Sequence, residues 1–260
     1  MLELPPFFTL HRFDTIGSSN DEARRLAEAG APEGTLVWAG EQTAGRGRRG
    51  RSWASPPGNL YLSLLLRPGV DYAAAPQLGF VCALAMGEAI ASLVPECTGR
   101  IRYKWPNDLL VDGGKIAGIL LEAGPAMPSA ASTGTDPGPR FVIAGIGVNV
   151  ASAPTDTSYP ATALTDAGAV AATPEALLAH FAERFAAGYA AWREDGFTQV
   201  RKAWLGAGHR VGDRLMVRIG DGHEIRGRFL DIDGDGALLL ELDSGERRRI
   251  GAGDVQMMAA

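Results

Sequence analysis

Apolar side chains recur along this chain in two rhythms, and each rhythm predicts a different element. Ser19 and Glu22 have the spacing of a capping box and Gly30 stands as a stop, which predicts a helix from about Asn20 to Ala29. Thr35 to Ala39 reads as a strand, the Gly- and Arg-dense stretch Gln42 to Asn59 as no regular element, and the apolar run Leu60 to Leu66 as a buried strand. Pro76 opens a helix whose positions Leu78, Val81, Cys82, Ala85, Ala89, Ile90 and Leu93 recur at helical spacing. Short apolar runs at Ile101 to Trp105, Leu109 to Val111, Ile116 to Ala123 and Phe141 to Val150 predict strands, with a hairpin at Asp112-Gly113-Gly114. The interruption Gly124 to Arg140, rich in Pro, Gly, Ser and Ala, reads as a flexible hairpin loop. Thr173 caps a helix with Pro174 at its first position and a stripe of Leu177, Leu178, Phe181, Phe185, Tyr189 and Trp192, which reads as core. After about Leu205 the pattern alternates in strand fashion between Gly/Asp turns such as Asp221-Gly222. The expected architecture is α+β: a mixed sheet with packed helices over residues 1–205, then a small β-barrel over residues 206–260.

Composition narrows the function classes. Lys plus Arg is 25 against 30 for Asp plus Glu, a formal charge of −5, so the chain is a poor general binder of nucleic acid. No apolar run is long enough to span a membrane, and the first residues lack a secretory pattern. Cys82 and Cys97 have no CxxC spacing, which argues against a disulfide framework or zinc site and fits a reducing cytoplasm; Cys82 reads as core.

Charge is not evenly spread. Gly45-Arg46-Gly47-Arg48-Arg49-Gly50 matches the dinucleotide-binding G-x-G-x-x-G pattern, but Pro56 and Pro57 soon after it forbid the helix that must receive a pyrophosphate. A nucleic-acid patch lacks interleaved stacking aromatics and a second basic face. Glycines between guanidinium groups instead suit close backbone approach to a small anion, so the loop is expected to close over a phosphate-bearing small molecule.

Lys104-Trp105-Pro106-Asn107-Asp108 puts a cation, a bend and two oxygen-bearing side chains at a strand end, and Lys115 begins the next strand across a tight turn. Gly145-Ile146-Gly147-Val148-Asn149 adds glycines that permit close ligand approach and an amide at Asn149. With Ser18-Ser19-Asn20, Gln42, the arginine loop through Trp53, Asn59-Leu60-Tyr61-Leu62-Ser63 and Lys115 with Gly118-Ile119-Leu120, these segments resemble the biotin protein ligase family, in the family's order from about Thr15 to Val150.

The resemblance implies a fold like that of class II aminoacyl-tRNA synthetases with an SH3-like C-terminal barrel. It implies a two-step reaction: biotin and MgATP give biotinyl-5′-AMP and pyrophosphate, and the acyl group passes to a lysine of the biotin carboxyl carrier domain of acetyl-CoA carboxylase. It further implies that Ser18, Ser19, Asn20, Gln42, Gly45, Arg46, Gly47, Arg48, Lys115 and Gly118 line the biotin and adenylate pocket, with Lys115 and Arg48 catalytic. Arg51, Trp53, Lys104, Asn107, Asp108 and Asn149 match positions around ATP, and Asp108 is the candidate metal ligand. Many relatives carry an N-terminal helix-turn-helix domain, which is not expected here because Ser18 lies so near Met1. Pairing of strand edges into a homodimer is a further implication. The alternative within the superfamily is a lipoate or octanoyl ligase or transferase.

Overall fold

The computed structural model describes residues 2–126, 138–157, 159–169, 171–220 and 222–258. The larger sheet has seven strands: β1 (Thr9–Ile16), β2 (Thr35–Gln42), β3 (Leu60–Leu66), β4 (Ile101–Lys104), β5 (Asp108–Val111), β6 (Gly114–Ala123) and β7 (Val142–Val148), ordered β1-β2-β3-β7-β6-β5-β4. Among these strands β1 and β2 alone pair in parallel, joined by α1 (Ser19–Glu28). All seven residues of β3 are buried, because the strand is central and covered on both faces. Ala23 and Ala27 of α1 pack with Val37, Leu65 and Ile143 against one face. The other face meets α2 (Gln77–Leu93) and α3 (Pro174–Asp195) in the main core, which takes in Leu36, Leu62, Leu64, Phe181 and Phe185.

The Thr173 cap forms as expected, its side chain accepting from Ala176 N at 3.2 Å. The capping box at Ser19 does not. Helix α1 already includes Ser19, Ser18 is its N-cap without a side-chain bond, and Glu22 turns to Arg25 at 2.7 Å. Among the elements that escape the sequence pattern are β1 and α4 (Phe197–Ala207), which starts directly after Gly196. Cys82 is fully buried and burial pushes its thiol up to about 12. Residues 127–137 of the expected hairpin loop, and Asp221 of the expected turn, lie outside the described residues. Among the described residues no helix is long and apolar enough to cross a membrane.

The C-terminal β module is an antiparallel sheet of five strands, β8 (Arg214–Ile219), β9 (His223–Ile232), β10 (Leu238–Leu242), β11 (Arg247–Ile250) and β12 (Asp254–Met257), ordered β11-β10-β9-β8-β12. Its apolar residues, among them Leu215, Val217, Phe229 and Leu238, belong to the same buried core as Phe80, Trp105 and Trp204, and polar contacts join the two units at one corner. Trp105 Nε1 donates to Gly236 O at 2.9 Å, Trp105 N donates to His209 Nε2 at 3.2 Å, and Gln77 Nε2 donates to Gly234 O at 2.9 Å.

Candidate active site

A cleft of about 550 Å³ opens where the N-terminus of α1, the ends of β2, β6 and β7, the arginine loop and β12 meet. Its two ends differ chemically.

One end is a hydrogen-bonding array. Gln42, at the end of β2, accepts from Ser19 N at 2.8 Å and Ser19 Oγ at 3.0 Å, so a side chain from the sheet takes the helix N–H that the expected capping box leaves unserved. Gln42 Nε2 donates to Ser55 Oγ at 3.0 Å, and Ser55 Oγ donates to Trp53 O at 2.9 Å. Ser63 Oγ lies 2.7 Å from Ser19 Oγ and also bonds Asn20 Oδ1. Asn20 Nδ2 donates to Glu122 Oε2 at 2.7 Å. Ser18, Ser19, Asn20 and Ser63 are all buried. A Cβ on Gly145 would sit 2.2 Å from Asn20 Oδ1, so glycine is required for this array to exist.

The other end is cationic. Strand register sets Lys104 opposite Asp108 and Asp108 opposite Gly118, which brings Lys115 to the same carboxylate. Lys104 Nζ lies 2.9 Å from Asp108 Oδ2 and Lys115 Nζ lies 2.6 Å from Asp108 Oδ1. Burial alone would raise the Asp108 pKa, but the two ammonium groups outweigh it and hold the carboxyl below its usual range. Lys104 also lies 4.1 Å from the centre of the Tyr159 ring and donates to Val255 O at 3.4 Å.

The arginine loop is ordered by partners on both sides. Residues 46 and 52 pair as an isolated bridge, Arg48–Gly50 form one 3-10 turn, and Arg49 takes a left-handed φ of 56°. Arg46 is bound to Asp21 at 2.6 Å and lies 3.5 Å from Glu122. Asp254 of β12 meets Arg51 at 2.8 Å and both Arg48 and Arg49 at 3.5 Å. Arg48 Nη1 donates further to Gly253 O at 3.0 Å and Asn107 Oδ1 at 3.2 Å. Burial lowers the Arg48 pKa, although a guanidinium remains charged. Among the described residues, Lys104, Lys115, Arg48, Arg49 and Arg51 thus pair with Asp108 and Asp254, a surplus of three positive charges; Asp156 and Arg218 on the rim add one of each sign.

Between the ends lies the Trp53 indole. A Cβ on Gly147 would come within 2.5 Å of Trp53 Nε1 and one on Gly118 within 3.1 Å of the ring, so both glycines make room for it. Lys115 Nζ lies 5.2 Å from the ring centre, and the buried Nε1 has no hydrogen-bond partner among the described residues.

Comparison with known proteins interprets this arrangement. Residues 15–130 match the Biotin/lipoate A/B protein ligase family and residues 216–258 the Biotin protein ligase C terminal domain. A biotin–[acetyl-CoA-carboxylase] ligase of Paracoccus denitrificans is 41% identical over 246 residues, 88% of this chain and 93% of that protein. The chain belongs to the biotin protein ligase family. A ligase of the same name from Mycobacterium tuberculosis is 32% identical over 92% of this chain and 85% of its own length. The structure of the Aquifex aeolicus biotin protein ligase in complex with biotin and ATP superimposes with a TM-score of 0.77 at 26% identity, covering 97% of this chain and 99% of that one.

The residues expected from the family resemblance converge on the cleft with one exception. Ser18, Ser19, Asn20, Gln42, Arg46, Gly47, Arg48, Arg51, Trp53, Lys104, Asn107, Asp108, Lys115, Gly118 and Asn149 all line it. Gly45 lies behind the wall, where a Cβ would strike Ser55 Oγ and Trp53 O at 2.5 Å. Asn149 also braces the scaffold, its Nδ2 donating to Lys115 O at 3.3 Å and Thr162 O at 3.1 Å. Asp108 does not fit a resident metal ligand, because both its oxygens are taken by ammonium groups and no cluster of three or more His, Cys, Asp or Glu residues converges among the described residues. Sequence reasoning missed Asp254, Val255 and Gln256, which complete the rim from the C-terminal sheet. No local pattern marks them; only the fold brings them there.

Proposed function

We propose that this chain is an ATP-dependent biotin–[acetyl-CoA-carboxylase] ligase that forms biotinyl-5′-AMP and transfers the biotinyl group to a lysine of a carboxylase carrier domain. The observation that carries the reading is the polarity of the cleft: a neutral array of Ser19, Ser63, Asn20 and Gln42 at one end, and the Lys115–Asp108–Lys104 cluster with the loop arginines at the other. A molecule with a polar head, an apolar middle and a terminal carboxylate spans these ends, and the cationic end suits a triphosphate.

In the first step a carboxylate oxygen of biotin attacks the α-phosphorus of ATP, and the bond from that phosphorus to the β-phosphate bridging oxygen breaks to release pyrophosphate. Two anions must approach each other, so Lys115 and Arg48 act by offsetting that repulsion. Mg²⁺ carried in with the triphosphate as part of the substrate would supply further charge neutralisation. In the second step the carrier lysine amine attacks the acyl carbon, AMP leaves with the bonding pair, and the amine loses a proton. No side chain forms a covalent intermediate in either step. Both cysteines are unpaired and buried, which supports a reducing cytoplasm as the setting.

Biotin-dependent exchange of labelled pyrophosphate into ATP tests the first step, and calorimetry with biotin and with lipoate tests the substrate. Exchange with biotin and tight biotin binding that strengthens with nucleotide are expected. Lipoate binding as tight as biotin, or no exchange, would overturn the reading.

A further inference from the structure

Glu122, on β6 and outside the residues that line the cleft, belongs to none of the groups expected to touch substrate, yet its Oε2 is the acceptor for Asn20 Nδ2 at 2.7 Å and lies 3.5 Å from Arg46 Nη2. An ionised carboxylate can only accept hydrogen bonds, whereas an amide can present either its oxygen or its nitrogen. Glu122 therefore decides which way the Asn20 amide faces: nitrogen toward Glu122, oxygen toward Ser63 Oγ.

That choice propagates. At the far end of the array Gln42 Oε1 is likewise fixed as an acceptor, because it receives Ser19 N and its own nitrogen is given to Ser55. Ser19 Oγ and Ser63 Oγ thus stand between two fixed carbonyl oxygens, and three contacts share the protons of two hydroxyl groups. An array one proton short favours a ligand head group that brings N–H donors over one that brings only acceptors. Flipping the Asn20 amide would put a donor where the acceptor now stands and cancel the deficit. Arg46 does not replace Glu122 in this role, since Asp21 holds its guanidinium at 2.6 Å and Arg46 makes no bond to Asn20 among the described residues.

We propose that Glu122 is a positioning residue for substrate recognition, acting through the Asn20 amide to keep the array at the head-group end of the cleft rich in acceptors. This rests on the reading of the cleft as a biotin site. It predicts that Glu122→Ala weakens biotin binding roughly tenfold or more, the effect of losing a hydrogen bond to a charged group, without a matching loss of ATP affinity. The sharper test is an exchange of partners. Asn20→Asp sets two carboxylates against each other and should abolish tight binding at pH 8, whereas Asn20→Asp with Glu122→Gln restores a donor–acceptor pair of reversed polarity between the two side chains while keeping an acceptor toward Ser63.

Calorimetric titration with biotin on the wild type and the three variants, each checked by thermal melting, provides the readout. Recovery of at least tenfold in affinity from Asn20→Asp to the double variant supports the role. Wild-type binding with no recovery in the double variant, or an unchanged affinity in Glu122→Ala, would overturn it while leaving the biotin reading intact. Failure of the wild type to bind biotin would overturn both.

Discussion

Asp254 and Arg51 meet at 2.8 Å although 203 positions separate them in the chain, and through this contact the last strand of the C-terminal sheet holds the loop that rims the cleft. The same carboxylate faces Arg48 and Arg49, so one acidic side chain organises three arginines. Asp254→Ala should change global stability little, since the Arg51 side chain is more than half exposed and such pairs contribute up to about 1 kcal/mol. It should instead loosen the loop. Trypsin cleavage after residues 46–51, followed by mass spectrometry, is expected to quicken several-fold; an unchanged rate would show that other contacts hold the segment.

Lys104 and Lys115 share Asp108, and all three are largely withdrawn from water. Asp108→Ala leaves two uncompensated cations and should cost about 3–5 kcal/mol in denaturant unfolding. The folded-state pKa of Asp108 lies below its unfolded value, so its contribution is fully present above the ordinary carboxylate value of 3.8 and fades as pH falls below it. The stability gap between wild type and variant should therefore narrow below that pH and hold constant above it.

His209 contributes over a different range. It is buried, accepts a hydrogen bond from Trp105 N, and its pKa is depressed to about 4 by burial. The unfolded chain takes up its proton near 6.5 and the folded chain does not until about 4, so stability falls as pH drops through this window, by roughly 3 kcal/mol at its lower end. His209→Gln keeps an acceptor within reach of Trp105 N and should flatten that part of the stability profile. A profile of unchanged slope would refute the assignment.

Arg48 reaches Asn107, Gly253 O and Asp254 from the loop, a position from which a guanidinium can clamp an adenylate. Arg48→Gly should form biotinyl-5′-AMP more slowly, with Lys115 still offsetting the charge, and should release it early. Labelling of bystander proteins, read by streptavidin blotting, is the expected sign; retention equal to wild type would remove the clamp role.

Gly145→Ala would drive a methyl group to 2.2 Å from Asn20 Oδ1 in a fully packed strand. Biotin affinity should fall at least tenfold, by the loss of one buried hydrogen-bonded contact or more. Gly206→Ala, on α4 with open space around the added carbon, should be neutral to slightly stabilising by helix propensity. Comparable effects at the two positions would argue that the clash is relieved by movement of Asn20.

Much of this fold is legible in the chain because burial on both faces leaves an unmistakable run. Leu60 to Leu66 is a strand with the expected ends, and the α3 stripe from Leu177 to Trp192 is core. Strand β1 escapes because it is an edge, and Thr9–Ile16 mixes His11, Arg12 and Asp14 among its apolar residues without alternation. The capping box at Ser19 has the right spacing and the wrong outcome, since Gln42 from a neighbouring strand competes for the same groups. Of the site, the loop and strand-end motifs are legible by residue type, but Asp254 is not: a single acid in Gly-Ala-Gly-Asp reads as a turn, and its significance exists only once the two sheets are docked.

The rim of this cleft is consequently a joint product of the two sheets. Helix α1 and the β4-β5 hairpin that carries Lys104 and Asp108 close over short stretches of chain, whereas the clasp on the arginines must bring together segments about two hundred residues apart. The clasp depends on the C-terminal sheet being docked, so any change that loosens the docking also frees these guanidinium groups. Retention of a reactive intermediate should therefore weaken whenever the C-terminal sheet is loosened, even with every residue of the head-group array intact.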